Sequence, residues 1–123
     1  KAKGICGVVI DGACRDVDQS TELGFAIFAR AAVPITARGR VVEDFFNQPI
    51  VVCGVAVSPA DLVIGDGSGV VFIPAERAEE VIAAAEQLAE RESQMVKAIM
   101  SGGSVSDVMG INYESLLNRE YTQ

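Results

Sequence analysis

Gly4-Ile5-Cys6-Gly7-Val8-Val9-Ile10-Asp11-Gly12-Ala13-Cys14-Arg15-Asp16 decides how the rest of the chain is read. The run from Ile5 to Asp11 is apolar apart from Gly7 and closes on Asp11-Gly12, the pattern of a strand covered on both faces. Just past its end stand a cation and a carboxylate, Arg15 and Asp16. Adjacent residues on a regular strand point to opposite faces, so the two converge on one ligand only where the chain turns, and Gly12 with the small Ala13 permits a turn there. A guanidinium offers a planar fork for a carboxylate, and an aspartate is a hard oxygen ligand for magnesium. The residues alone equally describe a surface ion pair at a loop.

Outward from this stretch, Val17 to Leu23 is polar and suits a helical turn, and Phe25 to Ala29 reads as a second strand. Pro34 bars a central-strand reading of the segment just after it. Ile50 to Cys53 and Val55 to Val57 flank Gly54. Leu62 to Ile64 and Val70 to Ile73 flank the turn signal Asp66-Gly67-Ser68-Gly69. That glycine-rich run is a hairpin turn rather than a phosphate cradle, because no Lys-Ser/Thr follows and it leads into a strand. Asp61 and Asp66 read as turn residues whose side chains bond the backbone. Pro74 opens a helix that persists to about Ser101, where Gly102-Gly103 ends it. Ser104 and Asn112 suit the N-caps of two short helices. Strands first and helices last place the chain in the α+β or layered α/β classes.

Within the long helix, Ala78, Val81, Ala85, Leu88, Glu92, Met95 and Ile99 recur at spacings of three and four and form one stripe. Glu92 is its only charged member. A carboxylate on a packing seam is costly unless it meets a cation, a metal or water, so Glu92 either has a partner across the seam or lies at the solvated edge. Asp18 reads as a support for Asp16 or as a helix N-terminal acid. Arg38 and Arg40 border an anionic ligand bound there, or are solvated or paired with Glu43 or Asp44.

Composition removes several functions. The 123 residues contain no histidine, which rules out the usual hydrolase triads and histidine-rich metal sites and leaves oxygen ligands suited to magnesium or manganese. Cys6, Cys14 and Cys53 are odd in number and lack a Cys-x-x-Cys spacing, so reduced and mostly buried thiols in the cytoplasm are expected. A net charge of −7 argues against direct contact with nucleic acid and is compatible with a basic protein partner. No apolar run approaches the roughly 20 residues of a membrane span.

The Gly4–Asp16 stretch resembles a signature of the family that holds the metal-dependent 4-hydroxy-4-methyl-2-oxoglutarate aldolases and the regulator of ribonuclease E activity A (RraA). The resemblance continues through Pro59-Ala60-Asp61-Leu62-Val63-Ile64-Gly65-Asp66-Gly67-Ser68-Gly69-Val70-Val71-Phe72-Ile73-Pro74 and into the long helix. It implies an α/β fold of the swivelling β/β/α type: a single domain over residues 1–123, lacking its N-terminal part, with a C-terminal helical extension over 75–121. It further implies Arg15 on the carboxylate of a 2-oxo acid, Asp16 on Mg2+ or Mn2+, and Glu92 at an active site shared with a neighbouring subunit of a homotrimer or hexamer. The implied activity is carbon–carbon cleavage of a short 2-oxo diacid, by retro-aldol reaction or by decarboxylation of oxaloacetate, through a pyruvate enolate. The alternative within the same family is a non-catalytic inhibitor that binds ribonuclease E.

Overall fold

The computed structural model describes residues 3–108, as two compact units whose boundary in sequence lies between Ala78 and Glu79.

The first unit carries all the described strands. Strand β1 (Gly7–Cys14), helix α1 (Val17–Glu22) and strand β2 (Ala26–Ala32) form a β-α-β unit in which β1 and β2 pair in parallel. Strand β1 does not close at Asp11-Gly12 as the sequence suggests. It runs on to Cys14, because the register slips there instead of ending: Ile10 faces Ala29, but Ala13 faces Ala31. Three steps along β1 match two along β2, which is the extra residue of a bulge. Strand β2 likewise begins one residue after the expected Phe25 and extends three beyond Ala29.

Strands β3 (Ile50–Val52) and β4 (Val55–Val57) form an antiparallel hairpin across Cys53 and Gly54, as do β5 (Leu62–Asp66) and β6 (Gly69–Ile73) across Gly67 and Ser68. Cys53 and Gly54 have φ of 51° and 86°, the positive values that a two-residue hairpin turn of this hand requires at both positions. Asp66 Oδ1 accepts the Ser68 amide at 2.7 Å and the Gly69 amide at 3.3 Å. Asp61 accepts the Ser58 amide at 2.7 Å and the Ala75 amide at 3.1 Å. Both aspartates are the turn residues expected of them.

Among the described residues no strand ladder joins the three two-stranded sheets; the Asp11 carboxylate links the first to the Cys53 amide of the second, and the Phe28 ring links the first to the third. Among the described residues, Val52 and Ile73, each 5% exposed, are the buried apolar ones. Gly65 of β5 lies under the Phe28 ring of β2 so closely that a Cβ there would sit 2.5 Å from Phe28 Cζ. The expectation that the first strand is covered on both faces is corrected: Gly7 to Ile10 are half-buried and Ile5 is 56% exposed. An open apolar hollow of about 740 Å3, lined by Val9, Ile10, Phe28, Val52, Val70 and Phe72 among others, lies alongside the strand in place of packed neighbours. The thiols are free but not mostly buried. Cys6 and Cys53 are exposed, the latter at a hairpin tip, and Cys14 is half-buried.

A 3-10 turn at Ala75–Arg77 ends the first unit, and the described part of the second is helical: the long helix α2 (Ala78–Met100), whose first residue falls at the boundary, is followed by α3 (Val105–Val108). The end of α2 is built by its glycines. Gly102, at φ 98°, donates to the Ile99 carbonyl and Gly103 to that of Ala98, the paired bonds of a Schellman motif. Ala78, Val81, Leu88, Met95 and Ile99 of the apolar stripe are half-buried, whereas Ala85 and Glu92 are exposed. Ser104 precedes α3 as expected, and its carbonyl accepts the Asp107 and Val108 amides. The helix expected from Asn112 lies outside the described residues. Among the described residues no helix is long and apolar enough to cross a membrane.

Candidate active site

Arg15 and Asp16 meet each other as an exposed ion pair at a loop, the alternative that the residues alone also describe, and the backbone shows how. Asp16 sits in the left-handed region at φ 60° and ψ 36°, which turns the chain out of β1 and into α1 in a single residue. The turn thus falls at Asp16 itself, three residues later than the Gly12-Ala13 hinge suggested by the sequence. Aspartate tolerates this conformation better than most residues. The turn folds its carboxylate back onto its neighbour, so that Arg15 Nε donates to Asp16 Oδ2 at 2.8 Å. The helix beyond is held by Ser20, whose amide and Oγ both donate to the Asp16 carbonyl. Asp16 makes no side-chain cap to that helix, so its carboxylate is not committed to backbone amides.

This leaves the pair chemically available. Arginine carries five N–H donors, and with Nε on Asp16 the four donors of the two Nη groups remain to be used. The Arg15 and Asp16 side chains are 50% and 55% exposed. They line an open depression together with Asp18, Ala32, Val33 and Pro34, where the last turn of β1, the start of α1 and the end of β2 meet. Asp16 Oδ1 is the oxygen not engaged by Arg15.

Among the described residues no three His, Cys, Asp or Glu side chains cluster as a metal cage. One aspartate oxygen at an open depression instead fits the habit of magnesium, which keeps several waters and binds through one or two carboxylates plus substrate. Asp18, in the first turn of α1, lines the same depression. Glu92 lies exposed on α2, in the other compact unit. Arg38 and Arg40 lie exposed in the loop between β2 and β3.

A second charged group was missed in the sequence. Asp11 accepts a hydrogen bond from Arg30 Nε on β2 and, through Oδ2, one from the Cys53 amide at 2.7 Å. Cys53 Sγ lies 3.6 Å from Oδ1. The Arg30 bond first, and the Cys53 amide next, hold Asp11 at about 2, well below the usual carboxylate range, and the same contact raises Arg30. The available signal was a charged residue in an apolar run with an arginine on the next strand, since cross-strand neighbours of opposite charge pair.

The model of the RraA-like family, described as Aldolase/RraA, matches residues 1–72. A Halalkalibacterium halodurans protein, provisionally named a 4-hydroxy-4-methyl-2-oxoglutarate aldolase, is 37% identical over 99 residues, covering 80% of this chain and 47% of that protein. A solved structure of an uncharacterised Pseudomonas syringae protein superposes with a TM-score of 0.84 at 33% identity, over 89% of this chain and 55% of that one. Streptomyces coelicolor RraAS2, described as an unusual member of the RNase ES inhibitor RraA protein family, superposes at 0.64 with 31% identity, over 76% and 49%. The expected mixed fold of strands followed by a long helix is therefore that of these structures. The chain spans about half the length of the relatives it matches.

Proposed function

We propose that this chain, which belongs to the RraA-like family, supplies the substrate-binding and metal-binding corner of a lyase that cleaves a carbon–carbon bond in a short 2-oxo diacid. The observation that carries the reading is the turned Arg15–Asp16 pair, in which one side chain keeps an anion fork and the other keeps a carboxylate oxygen.

Arg15 binds the carboxylate next to the keto group through its two Nη groups, while Asp16 fixes the guanidinium plane through Nε. Asp16 would hold a divalent cation, Mg2+ or Mn2+, through Oδ1, and that cation when bound supplies Lewis-acid polarisation of the keto oxygen. When the bond β to the keto carbon breaks, its electron pair moves toward that oxygen and gives the enolate of pyruvate, whose negative charge develops beside Arg15. Protonation at C3 then releases pyruvate. The other fragment leaves as carbon dioxide from oxaloacetate, or as a carbonyl compound from a 4-hydroxy acid once its hydroxyl proton is lost. The chain has no histidine to take that proton, so water at the open depression takes it.

The half-buried stripe of α2 suits a homotrimer or a dimer of trimers in which Glu92 of one copy completes the depression of another. The test of the reading is pyruvate release from oxaloacetate, coupled to lactate dehydrogenase, with magnesium and with chelator. Metal-dependent release supports it; release unaffected by chelator and by loss of Asp16 refutes it.

A second reading is supported by the net charge of −7 and by the likeness to the RNase ES inhibitor family. Here an acidic surface docks on a basic segment of ribonuclease E without chemistry. Tight binding to ribonuclease E, with no pyruvate release at any metal concentration, favours this reading over the lyase.

A further inference from the structure

We propose that Asp11 is a positioning residue for the Arg15–Asp16 pair: its carboxylate pins the slipped register of β1 against β2 and the β3–β4 turn, and so fixes where the strand delivers Arg15. The activity part of this inference rests on the lyase reading; the structural part does not.

The slip falls between Ile10 and Ala13, so Asp11 and Gly12 together oppose Arg30. A bulge re-aims the side chains that follow it, and a one-residue change of register sends each to the opposite face. Everything from Ala13 to the turn at Asp16 therefore depends on the slip being held at this place and not elsewhere along the strand. Asp11 holds it from two sides. Arg30 Nε ties it to β2 at the bulge, and the Cys53 amide ties it to a hairpin that shares no ladder with β1 or β2. The Cys53 tie reaches a backbone in the left-handed region, so the carboxylate also steadies the turn it grips. At about 3.3 Å per residue, Arg15 lies on the order of 13 Å along the strand from Asp11, too far for both to touch one small carboxylate. Asp11 acts through the backbone.

The experiment uses the full chain and the variants Asp11→Ala, Asp11→Asn and Arg30→Ala. One readout needs no catalysis: the Arg15 Nε–H resonance, which the 2.8 Å bond to Asp16 should shift and slow in exchange. In Asp11→Ala this resonance should collapse to that of a free arginine, and KM for oxaloacetate should rise at least tenfold with a smaller change in kcat. Asp11→Asn keeps an acceptor for the Cys53 amide and should fall between Asp11→Ala and the unaltered protein. A purely structural Asp11 would lower the melting temperature without moving KM well below it. If Asp11→Ala fails to fold, Asp11→Asn and Arg30→Ala are read in the same way. A folded variant that keeps the Arg15 resonance and a KM within twofold overturns the proposal. If the unaltered protein releases no pyruvate, the lyase reading fails, and the resonance alone decides on Asp11.

Discussion

Replacing Arg15 with lysine keeps the charge and removes the fork. In the structure Nε is committed to Asp16 at 2.8 Å, and the two Nη groups are what a substrate carboxylate would meet. A lysine has three donors on a single nitrogen, so it cannot present a two-pronged fork to the substrate while also holding Asp16. The loss is at least one hydrogen bond between charged groups, about 1.5–3 kcal/mol where such bonds are sheltered. Arg15 is 50% exposed, so solvent screening puts the loss near the low end of that range. About 1.4 kcal/mol is a tenfold change, so kcat/KM for oxaloacetate should fall roughly tenfold. Most of the fall should lie in KM, because the carboxylate is bound in ground state and transition state alike. The assay is coupled pyruvate release across a range of oxaloacetate at saturating magnesium. A value of kcat/KM within twofold of the unaltered protein would refute the argument, since it would mean that the Nη groups meet no substrate.

Asp16→Ala should abolish both activity and metal dependence. Asp16→Gly, which keeps the left-handed turn, should do the same, and activity in the glycine variant alone would assign Asp16 a backbone role. Gly65→Ala should lower the melting temperature by about 5 °C or more in a circular-dichroism melt. Its Cβ would stand 2.5 Å from the Phe28 ring, overpacking costs about 1–3 kcal/mol, and each kcal/mol is worth about 4–8 °C in a domain of this size; an unchanged melt would mean the ring is not there. Asp11 has its pKa lowered to about 2 by Arg30 and the Cys53 amide, below the unfolded value, so its stabilisation is present above about pH 4 and is lost as pH falls through about 2. Asp11→Asn should therefore flatten the acid side of the stability profile in that window, as read by melts between pH 2 and 5. Glu92→Gln should reduce turnover and leave the sedimentation coefficient of the assembled protein unchanged; an unaltered rate would remove Glu92 from the site.

The elements with strong local signals were legible from residues alone. Gly102-Gly103 ends α2 where expected, because the positive φ of Gly102 and the two bonds that follow belong to the residue type. The second hairpin turns at Gly67-Ser68 within its turn signal, where Asp66 accepts the Ser68 and Gly69 amides; the first turns at Gly54 as expected but also takes in Cys53, which the sequence reads as the end of a strand. What residues could not disclose was the end of β1. Asp11-Gly12 carries a turn signature, yet the strand passes through it, because Arg30 and the Cys53 amide stabilise Asp11 in a slipped ladder. Those partners lie 19 and 42 residues away in sequence, beyond any local pattern. The same limit explains why the burial of β1 was misjudged: an apolar run states that cover is needed, not that the described residues provide it. For the candidate site, the pairing of Arg15 with Asp16 was readable, but the residue that makes the turn was not, since a left-handed aspartate has no sequence mark of its own.

Four non-glycine residues among those described adopt left-handed backbone, and comparing them shows what sets Asp16 apart. Asn47 is a residue type that visits this region readily. Cys53 and Ala60 are not, and each is held by an aspartate: Asp11 accepts the Cys53 amide, and Asp61 accepts the Ser58 amide across the turn that contains Ala60. Backbone strain alone therefore does not mark a functional position in this chain, because in these two cases a carboxylate simply holds a turn. In doing so Asp11 and Asp61 each use both carboxylate oxygens. Asp16 differs in that the left-handed residue and the carboxylate are the same residue. It bonds no backbone amide, and its one partner is a guanidinium that still has donors to offer. A left-handed turn held by an arginine rather than by amides leaves a carboxylate oxygen beside the remaining guanidinium donors at an open depression, and it is on this arrangement that the proposed binding of a chelating 2-oxo acid rests.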